Sequence, residues 1–464
     1  MENTREIVLD TLIALERGEA FSHQLLRDVL DKYDYLDSKE KAFIKRVAEG
    51  TIERRMELDY YLDHYSTVPV KKMKPLIRSL MRMSVYQLLY MDGTPDSAVC
   101  NEACKLAAKR KFQNLKGFVN AVLRKIARDK AQLPLPDSQK ENLAYLCVRY
   151  SMPEWITEMW RKEYGETGAE IILKALLEIH PVSLRLTITG KKSREQVVSQ
   201  LGEAGIDLKA NPYVPEVYWA TNADDLGKIQ PFRDGKVIVQ DASSVLAVLT
   251  AGIQPGDFVI DVCAAPGGKT ILAAEFASPD GKVLAGDVSE NKVEKIRENI
   301  RRTGQNNIET IVWDAREPKP ELFGKADVVI LDVPCSGLGV VGKKRDIKYR
   351  VTPDGVKELE DLQKEIIRNA WQYVKLGGIL LYSTCTIRWE ENQGMLEWML
   401  SEFSLEPVPI LQDMDAKLRE GILAERKIRN RKLSENAEAS CAQILPGIMD
   451  MDGFFFAKLR RKRE

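Results

Sequence analysis

The chain has 464 residues, of which 44% are hydrophobic and 30% are charged, so it can bury several cores in about two to four domains. Its 69 basic and 69 acidic residues balance, so net charge alone favours neither a nucleic acid nor a membrane surface. No run reaches the roughly 18 apolar residues of a membrane span, and no secretory signal is recognisable. We therefore expect a cytoplasmic protein without a membrane partner.

The cysteines and histidines give no sign of a disulfide framework or a metal site. Seven cysteines, an odd number without regular spacing, indicate a reducing compartment. The three histidines, His23, His64 and His180, are few and scattered. Cys100 and Cys104 have no second pair of ligands nearby, as a zinc site would require. We therefore expect no metal.

Residues 1 to 132 predict an all-helical bundle. In "REIVLDTLIALERG" and "MKPLIRSLMRMSVYQLLYM" apolar residues recur at three- and four-residue spacing, and strand-like alternation is missing. From Val68 to Lys130 there are 14 Lys and Arg against four acids, an excess of about ten positive charges. A charge run is usually a solvated helix surface, but an excess of this size favours a phosphate-binding face.

After the break "QLPLPDSQ", residues 140 to 235 predict a small mixed α/β module. It contains the helices "MPEWITEMWRKEYG" and "REQVVSQLGEAGI" and the strand "VSLRLTIT", and its residues suggest no chemistry. From residue 236 to residue 464, apolar strands alternate with amphipathic helices, which predicts a parallel sheet covered on both faces. Near the end of the chain, "LREGILAERKIRNRKLSENAEAS" is predicted as a mobile loop, and "DGFFFAKLRRKRE" as a last strand with a basic tail.

Each of the five predicted parallel strands ends in a group that can do chemistry. In an open parallel sheet, ligands bind outside the carboxyl ends of the strands. One acid there can be a helix cap, but five such endings at one edge predict a site. In chain order they are the loop "CAAPGGK" (Cys263 to Lys269), Asp287, Asp314, Asp332 with Cys335, and Cys385.

The predicted ligand is a nucleoside with a short amino-acid tail and no phosphates. The first loop matches neither the Walker motif nor the dinucleotide fingerprint. Gly267 and Gly268 allow backbone amides to approach a ligand ahead of a helix N-terminus suited to a carboxylate. Asp287, 26 positions after Asp261, suits a ribose diol, and Asp314 suits an adenine edge. S-adenosylmethionine has all of these parts.

Cys335 and Cys385, 50 residues apart, are predicted on neighbouring strands. Either one alone is more often a small inert hydrophobe than a nucleophile. Two thiols flanking Asp332 and facing a methyl donor fit methylation of a pyrimidine at C5. A thiolate adding at C6 makes C5 enamine-like, so that C5 can attack the sulfonium methyl. For cytosine, Asp332 can supply a proton or hydrogen bond at N3, and the second cysteine can assist the final elimination.

In "DVCAAPGGKT", "LDVPCSGLGV" and "YSTCTIRWEEN", and in the preceding "VQDASS", the chain resembles the RNA (cytosine-5) methyltransferases of the RsmB/NOL1/NOP2/Sun family. The resemblance implies a Rossmann-like class I methyltransferase at residues 236–464 that uses S-adenosylmethionine. It implies that Cys385 is the nucleophile and that Cys335 takes part in product release. The donor-binding residues that it implies are Cys263, Ala264, Ala265, Pro266, Gly267, Gly268, Lys269, Asp287, Asp314 and Asp332.

The segments "EKAFIKRVAEGTIERRMELDYYL", "RMSVYQLLY" and "KGFVNAVLRKIAR" resemble the RNA-binding fold of the antitermination factor NusB. Within the family, such a fused domain marks the subgroup that methylates bacterial 16S ribosomal RNA. The resemblance to this subgroup implies that the methylated nucleotide is cytosine 967. The implied partner is small-subunit ribosomal RNA or an assembly intermediate, and we expect a monomer. After "GLGVV", relatives usually carry an arginine-rich stretch with a proline, whereas "GKKRDIKYR" here has Gly342 and Arg345.

Two alternatives stay open. A similar enzyme could methylate transfer RNA, and the fused N-terminal domain argues against this only by analogy. A non-catalytic RNA-binding factor would have no reason to keep both cysteines and every acid at the strand ends. An NAD-dependent oxidoreductase is excluded because the dinucleotide fingerprint is missing.

Overall fold

The computed structural model describes residues 3–18, 21–178, 181–187, 191–223 and 226–463. The chain divides into two compact units. The first unit comprises Met1–Lys162, Glu166–Leu177 and Val341–Arg350, and the second comprises Glu163–Gly165, Glu178–Val340 and Val351–Glu464. Within the described ranges, no helix is both long and apolar enough to cross a membrane.

The N-terminal part of the first unit is helical, which confirms the predicted bundle. Apolar residues spaced three or four apart on its helices meet in one core, which includes Leu9, Ile44, Leu58, Leu80 and Leu123. The helices of the bundle are α1 (Thr4–Glu16), α2 (Ser22–Lys32), α3 (Ser38–Glu53), α4 (Arg55–Tyr65), α5 (Pro75–Tyr90), α6 (Asp96–Lys109) and α7 (Lys116–Asp129), and they are followed along the chain by α8 (Asn142–Arg149) and α9 (Glu154–Ala175).

The basic excess of residues 68–130 is partly neutralised by acids from outside that segment. On α6, Lys109 pairs with Glu6 of α1, and the adjacent Arg110 pairs with both Glu6 and Asp10. A charge count along the sequence therefore overstates the local field. Six exposed lysines of the segment form no ion pair with any described residue: Lys71, Lys72, Lys74, Lys111, Lys116 and Lys125.

The second unit begins with a small antiparallel sheet, as predicted for a mixed α/β module. Its elements are β1 (Val182–Leu186), α10 (Lys191–Glu203), β2 (Asp207–Ala210), β3 (Val217–Thr221), α11 (Gln230–Arg233) and β4 (Val237–Val239). The strand order is β2-β3-β1-β4. β4 begins two residues beyond the predicted boundary at 235, because Leu186 pairs with Val237 and Leu184 with Val239. The three domain boundaries stay predictions.

The remaining elements build a larger sheet of order β10-β12-β9-β8-β5-β6-β7, with β11 paired to β12. The five predicted strands, β5 to β9, run parallel, and the predicted last strand, β12, is antiparallel to β9. In chain order the elements are α12 (Ala242–Ala251), β5 (Phe258–Asp261), α13 (Gly268–Ala277), β6 (Lys282–Asp287), α14 (Glu290–Thr303), β7 (Ile308–Val312), β8 (Ala326–Asp332), α15 (Ile347–Arg350), α16 (Pro353–Ala370), β9 (Val374–Thr384), α17 (Gln393–Glu402), β10 (Leu405–Pro407), α18 (Ala416–Ile428), α19 (Glu435–Ala439), β11 (Cys441–Ile444) and β12 (Phe454–Arg461).

Both faces of this sheet are buried, as nearly continuous apolar strands predict. Along β8, Val328 and Ile330 join one core, while Val329 and Leu331 join another. Successive side chains of a strand point to opposite faces, so each strand contributes to both cores. The strands are thereby fixed in register, and their carboxyl ends meet at one edge.

The prediction that the charged segment from Leu418 to Ser440 is a mobile loop is wrong. It forms most of α18 and all of α19, and Leu418 and Ile422, one helical turn apart, are buried. Arg429 is almost fully buried and donates to Glu425 at 2.8 Å and also to Glu438. Because these buried charges are paired, a strongly charged sequence can pack here.

The segment Val341–Arg350, with α15, belongs to the first unit. Arg345, in the loop whose sequence differs from its relatives, pairs with Glu49 and Glu53 of α3 at 3.0 Å each. Lys348 is buried, and burial lowers its pKa to about 7. Arg345 and Lys348 of this loop are therefore engaged within the first unit.

Candidate active site

The parallel strands bring the predicted acids to one edge of the sheet. β5 ends at Asp261, β6 at Asp287 and β8 at Asp332, while Asp314 lies two residues beyond the end of β7. On the adjacent strands β8 and β9, Asp332 is the register partner of Ser383, two residues before the second predicted cysteine. The topology therefore confirms that these strand ends are neighbours.

The loop from Cys263 to Lys269 leads from β5 into α13, and hydrogen bonds donated by its backbone amides hold it in place. Gly267, just before the helix, has φ 103°, a conformation that favours glycine. The amide of Ala264 donates to the carbonyl of Gly286 at 3.0 Å, and the amide of Ala265 donates to Asp287 Oδ2 at 3.0 Å. The loop amides of Ala264 and Ala265, which precede α13, therefore contact the end of β6.

Asp287 is nearly buried, with 4% of its surface exposed. Its carboxylate accepts hydrogen bonds from the amides of Ala265 and Val288 and pairs with Lys292 at 3.0 Å. A carboxylate can accept about four hydrogen bonds, so there is still capacity for a ligand hydroxyl. Asp314 is more exposed and is bonded by Arg316, which lowers the pKa of the Asp314 carboxyl.

Asp261, the last residue of β5, precedes this loop and is fully buried. The Thr270 hydroxyl donates to its Oδ2 at 2.7 Å, but its Oδ1 has no hydrogen-bond partner among the described residues. Burial raises the pKa of Asp261 to about 7. Burial and the nearby Asp287 also raise the pKa of the Cys263 thiol, which is therefore neutral. A buried carboxylate oxygen without a protein partner can accept a hydrogen bond from a ligand or from water.

The two predicted cysteines are in contact. The Sγ atoms of Cys335 and Cys385 lie 3.3 Å apart, each at the end of its strand. The hydrogen bond to Cys385, together with burial, raises the pKa of Cys335 well above its usual value. Cys385 is partly exposed, whereas Thr384 and Thr386 on either side are fully buried. The Cys385 thiol is therefore accessible to a substrate only in part.

Lys269 and Asp332 form an ion pair beside the cysteines. Lys269 Nζ donates to Asp332 Oδ2 at 2.7 Å, and the Ser383 hydroxyl donates to Oδ1 at 2.8 Å. Both carboxylate oxygens are thus already held by donors. Lys269, the last residue of the loop that begins at Cys263, is thereby joined through Asp332 to the ends of β8 and β9.

Glu391 is a residue whose role the sequence reasoning missed. It is fully buried and accepts hydrogen bonds from the Ser336 amide at 2.8 Å, the Ser336 hydroxyl at 2.5 Å and Gln363 at 3.0 Å. Burial raises the pKa of Glu391, and the Ser336 bonds oppose the shift. Because Ser336 follows Cys335, this carboxylate connects both cysteine loops. The sequence did offer a sign of this role, because Glu391 lies in the motif "YSTCTIRWEEN" together with Cys385.

Asn392, also in that motif, braces the residues around Cys385. Its side chain accepts from the Thr384 hydroxyl at 2.5 Å and donates to the Thr386 carbonyl at 3.0 Å. It also donates to Gln443 at 2.8 Å. Since all three polar neighbours are buried and bonded, the position of the Cys385 backbone is fixed.

We expect Glu391→Ala to lower the free energy of unfolding by about 3 kcal/mol, because Ser336 and Gln363 lose a buried acceptor. Methyl transfer should fall further than stability alone explains, because the loop carrying Cys335 loses its anchor. Thermal unfolding and methyl transfer below the melting temperature measure the two effects. Glu397→Ala, at an exposed site on α17, is the matched control. Wild-type stability and activity in Glu391→Ala would refute this role.

The fold and these strand ends define a Rossmann-like methyltransferase, dependent on S-adenosylmethionine by fold and preceded by a NusB-like helical domain. Family models match the NusB family at residues 2–128, the ferredoxin-like domain of RsmF/B-like methyltransferases at 152–218, and 16S rRNA methyltransferase RsmB/F at 248–460. A relative from Bacillus subtilis (strain 168), probable ribosomal RNA small subunit methyltransferase B, is 32% identical over 99% of both chains. The chain belongs to this 16S rRNA methyltransferase RsmB/F family.

Two further comparisons agree. Ribosomal RNA small subunit methyltransferase B of Escherichia coli O127:H6 is 30% identical over 97% of this chain and 96% of its own. The crystal structure of PH0851 has a TM-score of 0.78 and 24% identity, covers 100% of this chain and 99% of that one, and supports the fold alone. The family resemblance and fold class predicted from sequence are thereby confirmed. Within the described residues, no cluster of three or more His, Cys, Asp or Glu could hold a metal.

Proposed function

We propose that this protein transfers a methyl group from S-adenosylmethionine to C5 of a cytosine in bacterial 16S ribosomal RNA. The observation that carries the proposal is the contact of Cys335 and Cys385, 3.3 Å apart beside Asp332, at the edge that also holds the strand-end acids. Family membership supports the RNA substrate, and by resemblance the target is cytosine 967.

The residues around the first loop fit the donor. S-adenosylmethionine supplies a methyl group on a sulfonium when it is bound. Asp287, with remaining acceptor capacity, suits the ribose hydroxyls, and Asp314 suits the adenine edge. The backbone amides from Cys263 to Lys269 suit the donor's carboxylate, and the unpaired Oδ1 of Asp261 suits its ammonium group.

Cys385 acts as the nucleophile in this proposal. Its thiolate forms a bond with C6 of the cytosine, and the C5–C6 π electrons make C5 nucleophilic enough to take the methyl group. The Asp332 carboxylate, held by Lys269 and Ser383, accepts a hydrogen bond from the proton that N3 takes up from solvent in the adduct. The C5 proton then passes to solvent water, the C5–C6 double bond re-forms as the Cys385–C6 bond breaks with its electron pair on sulfur, and N3 returns its proton to solvent. Cys335, 3.3 Å away, stabilises the departing Cys385 thiolate through an S–H hydrogen bond.

The target cytosine must leave its stack to meet Cys385, which requires a grip on the surrounding RNA. The six exposed lysines from Lys71 to Lys125 that form no ion pair with a described residue support phosphate contacts, which position RNA without reading its sequence. We further propose that the enzyme is a monomer in the cytoplasm and acts on small-subunit ribosomal RNA or an assembly intermediate.

Bisulfite sequencing of 16S ribosomal RNA from cells lacking the gene tests this function. We expect protection to be lost at a single cytosine, and restored by the intact gene but not by a Cys385→Ala copy. If protection is instead lost in transfer RNA, the substrate is wrong although the chemistry stands. If no RNA changes, the protein is a non-catalytic RNA-binding factor.

A further inference from the structure

A cavity of about 370 Å³ lies within the first unit. Residues of α1, α3, α4 and α5 line it together with the segment Val341–Arg350, and its volume is within the range of pockets that hold small molecules. One side is apolar, with Leu12, Leu15 and Ile52, and another is strongly charged. The role of this cavity is not explained by the methyltransferase chemistry.

Four arginines line the cavity, and three of them are neutralised by carboxylates. Glu16 also contacts Arg82, so the paired arginines and acids form a connected network. Each of these three arginines has its own carboxylate partner: Arg78 pairs with Glu16 at 2.7 Å, Arg82 with Asp59 at 2.6 Å and Arg350 with Asp346 at 2.7 Å. Three acids against four arginines leave one positive charge in excess.

That excess charge belongs to Arg55. Its guanidinium carbon lies 3.6 Å from the centre of the Tyr349 ring, and it forms no hydrogen bond or ion pair with any described residue. Burial lowers the pKa of Arg55, and the influence of Tyr349, Asp59 and Glu16 opposes this shift only in part. A guanidinium stacked by its face keeps its N–H donors at its edge, ready for an oxyanion.

Ser79, on α5, provides a second and independent donor. It is 1% exposed, and its hydroxyl has no partner among the described residues. Other buried hydroxyls on helices of this unit bond the carbonyl four residues earlier, as Thr11, Thr51 and Ser84 do at 2.6–2.8 Å. Ser79 differs from them and lines the cavity, so its hydroxyl is available to a ligand.

We propose that this cavity binds the phosphate group of a phosphate ester, with Arg55 as its principal ligand and Ser79 as a second donor. Arginine forms paired hydrogen bonds with phosphate oxygens, and one excess positive charge balances one negative charge of the ester. The apolar wall at Leu12, Leu15 and Ile52 accommodates the organic part. The ester is either a phosphodiester of bound RNA or the phosphomonoester of a free nucleotide, and both present anionic phosphate oxygens.

Calorimetric titration of the full-length protein with uridine 5′-monophosphate tests the site, with S-adenosylhomocysteine added to fill the donor site. We expect wild-type binding that uridine, which lacks the phosphate, does not reproduce. Arg55→Gln should weaken it by roughly 10- to 100-fold, because a charged hydrogen bond is lost. Arg46→Gln, at an exposed arginine outside the cavity, should bind as the wild type does.

Ser79→Ala keeps the test decisive if Arg55→Gln fails to fold. It removes an unpaired buried hydroxyl, so the free protein should be at least as stable as the wild type, whereas nucleotide affinity should fall by roughly three- to tenfold. Absence of binding at millimolar nucleotide, or equal binding by Arg55→Gln and Arg46→Gln, would overturn the proposal.

Methyl transfer at limiting 16S ribosomal RNA then identifies the source of the phosphate. A raised KM for RNA in Arg55→Gln assigns the site to an RNA phosphate. An unchanged KM, with nucleotide binding lost, assigns it to a free nucleotide. The calorimetric result does not depend on methylation, so failure of the proposed function would leave it intact.

Discussion

Replacing Cys385 with alanine is expected to lower methyl transfer to 16S ribosomal RNA by at least roughly a thousandfold, because no covalent bond to C6 can form. Cys335, 3.3 Å away, is not expected to substitute, because burial still raises its pKa when the bond to Cys385 is gone. Folding and donor binding should persist, since the acids of the donor site are untouched. Methyl incorporation and calorimetric titration with S-adenosylhomocysteine measure the two properties.

Cys441→Ala is the matched control for this variant. Cys441 is a buried thiol in β11 of the same sheet, and burial raises its pKa as it does that of Cys335. Its removal should leave methyl transfer close to the wild-type rate. A Cys385→Ala protein that methylates as fast as this control would show that the nucleophile has been assigned to the wrong residue.

Replacing Cys335 with alanine is expected to have a different effect, the accumulation of a covalent protein–RNA complex. Cys385 can still add to C6, but the thiol in contact with it, which assists the elimination, is absent. The adduct should appear as a slow band on a denaturing gel and disappear on nuclease digestion. The substitution should not displace Cys385, because Asn392 independently braces Thr384 and Thr386.

The double variant Cys335→Ala with Cys385→Ala separates a covalent adduct from tight binding. If Cys385 forms the bond, the double variant gives no slow band even when it still binds RNA. A fully active Cys335→Ala protein without the band would remove Cys335 from the mechanism. A band that persists in the double variant would show that another residue forms the bond.

The sequence by itself determined the helical N-terminal bundle, the parallel strands and the edge where the candidate site lies. These depend on local patterns: three- and four-residue spacing in α1 and α5, and short apolar runs in β5 to β9. Because parallel strands end at a common edge, the position of Asp287, Asp332 and Cys385 followed from the order of elements along the chain.

Only the tertiary structure decided features that depend on distant partners. The segment with α18 and α19 packs because Arg429 meets Glu425 and Glu438, although its composition resembles that of a loop. The basic segment of the bundle is partly neutralised by acids of α1, which a local charge count cannot include.

The same distinction holds at the two sites. Glu391 was visible in its motif, but its connection of both cysteine loops needed the position of Ser336. Arg55 and Tyr349 lie far apart in the chain and come together only in the folded first unit. Periodicity and motifs report interactions between near neighbours in sequence, whereas burial, ion pairing and stacking depend on contacts that folding alone creates.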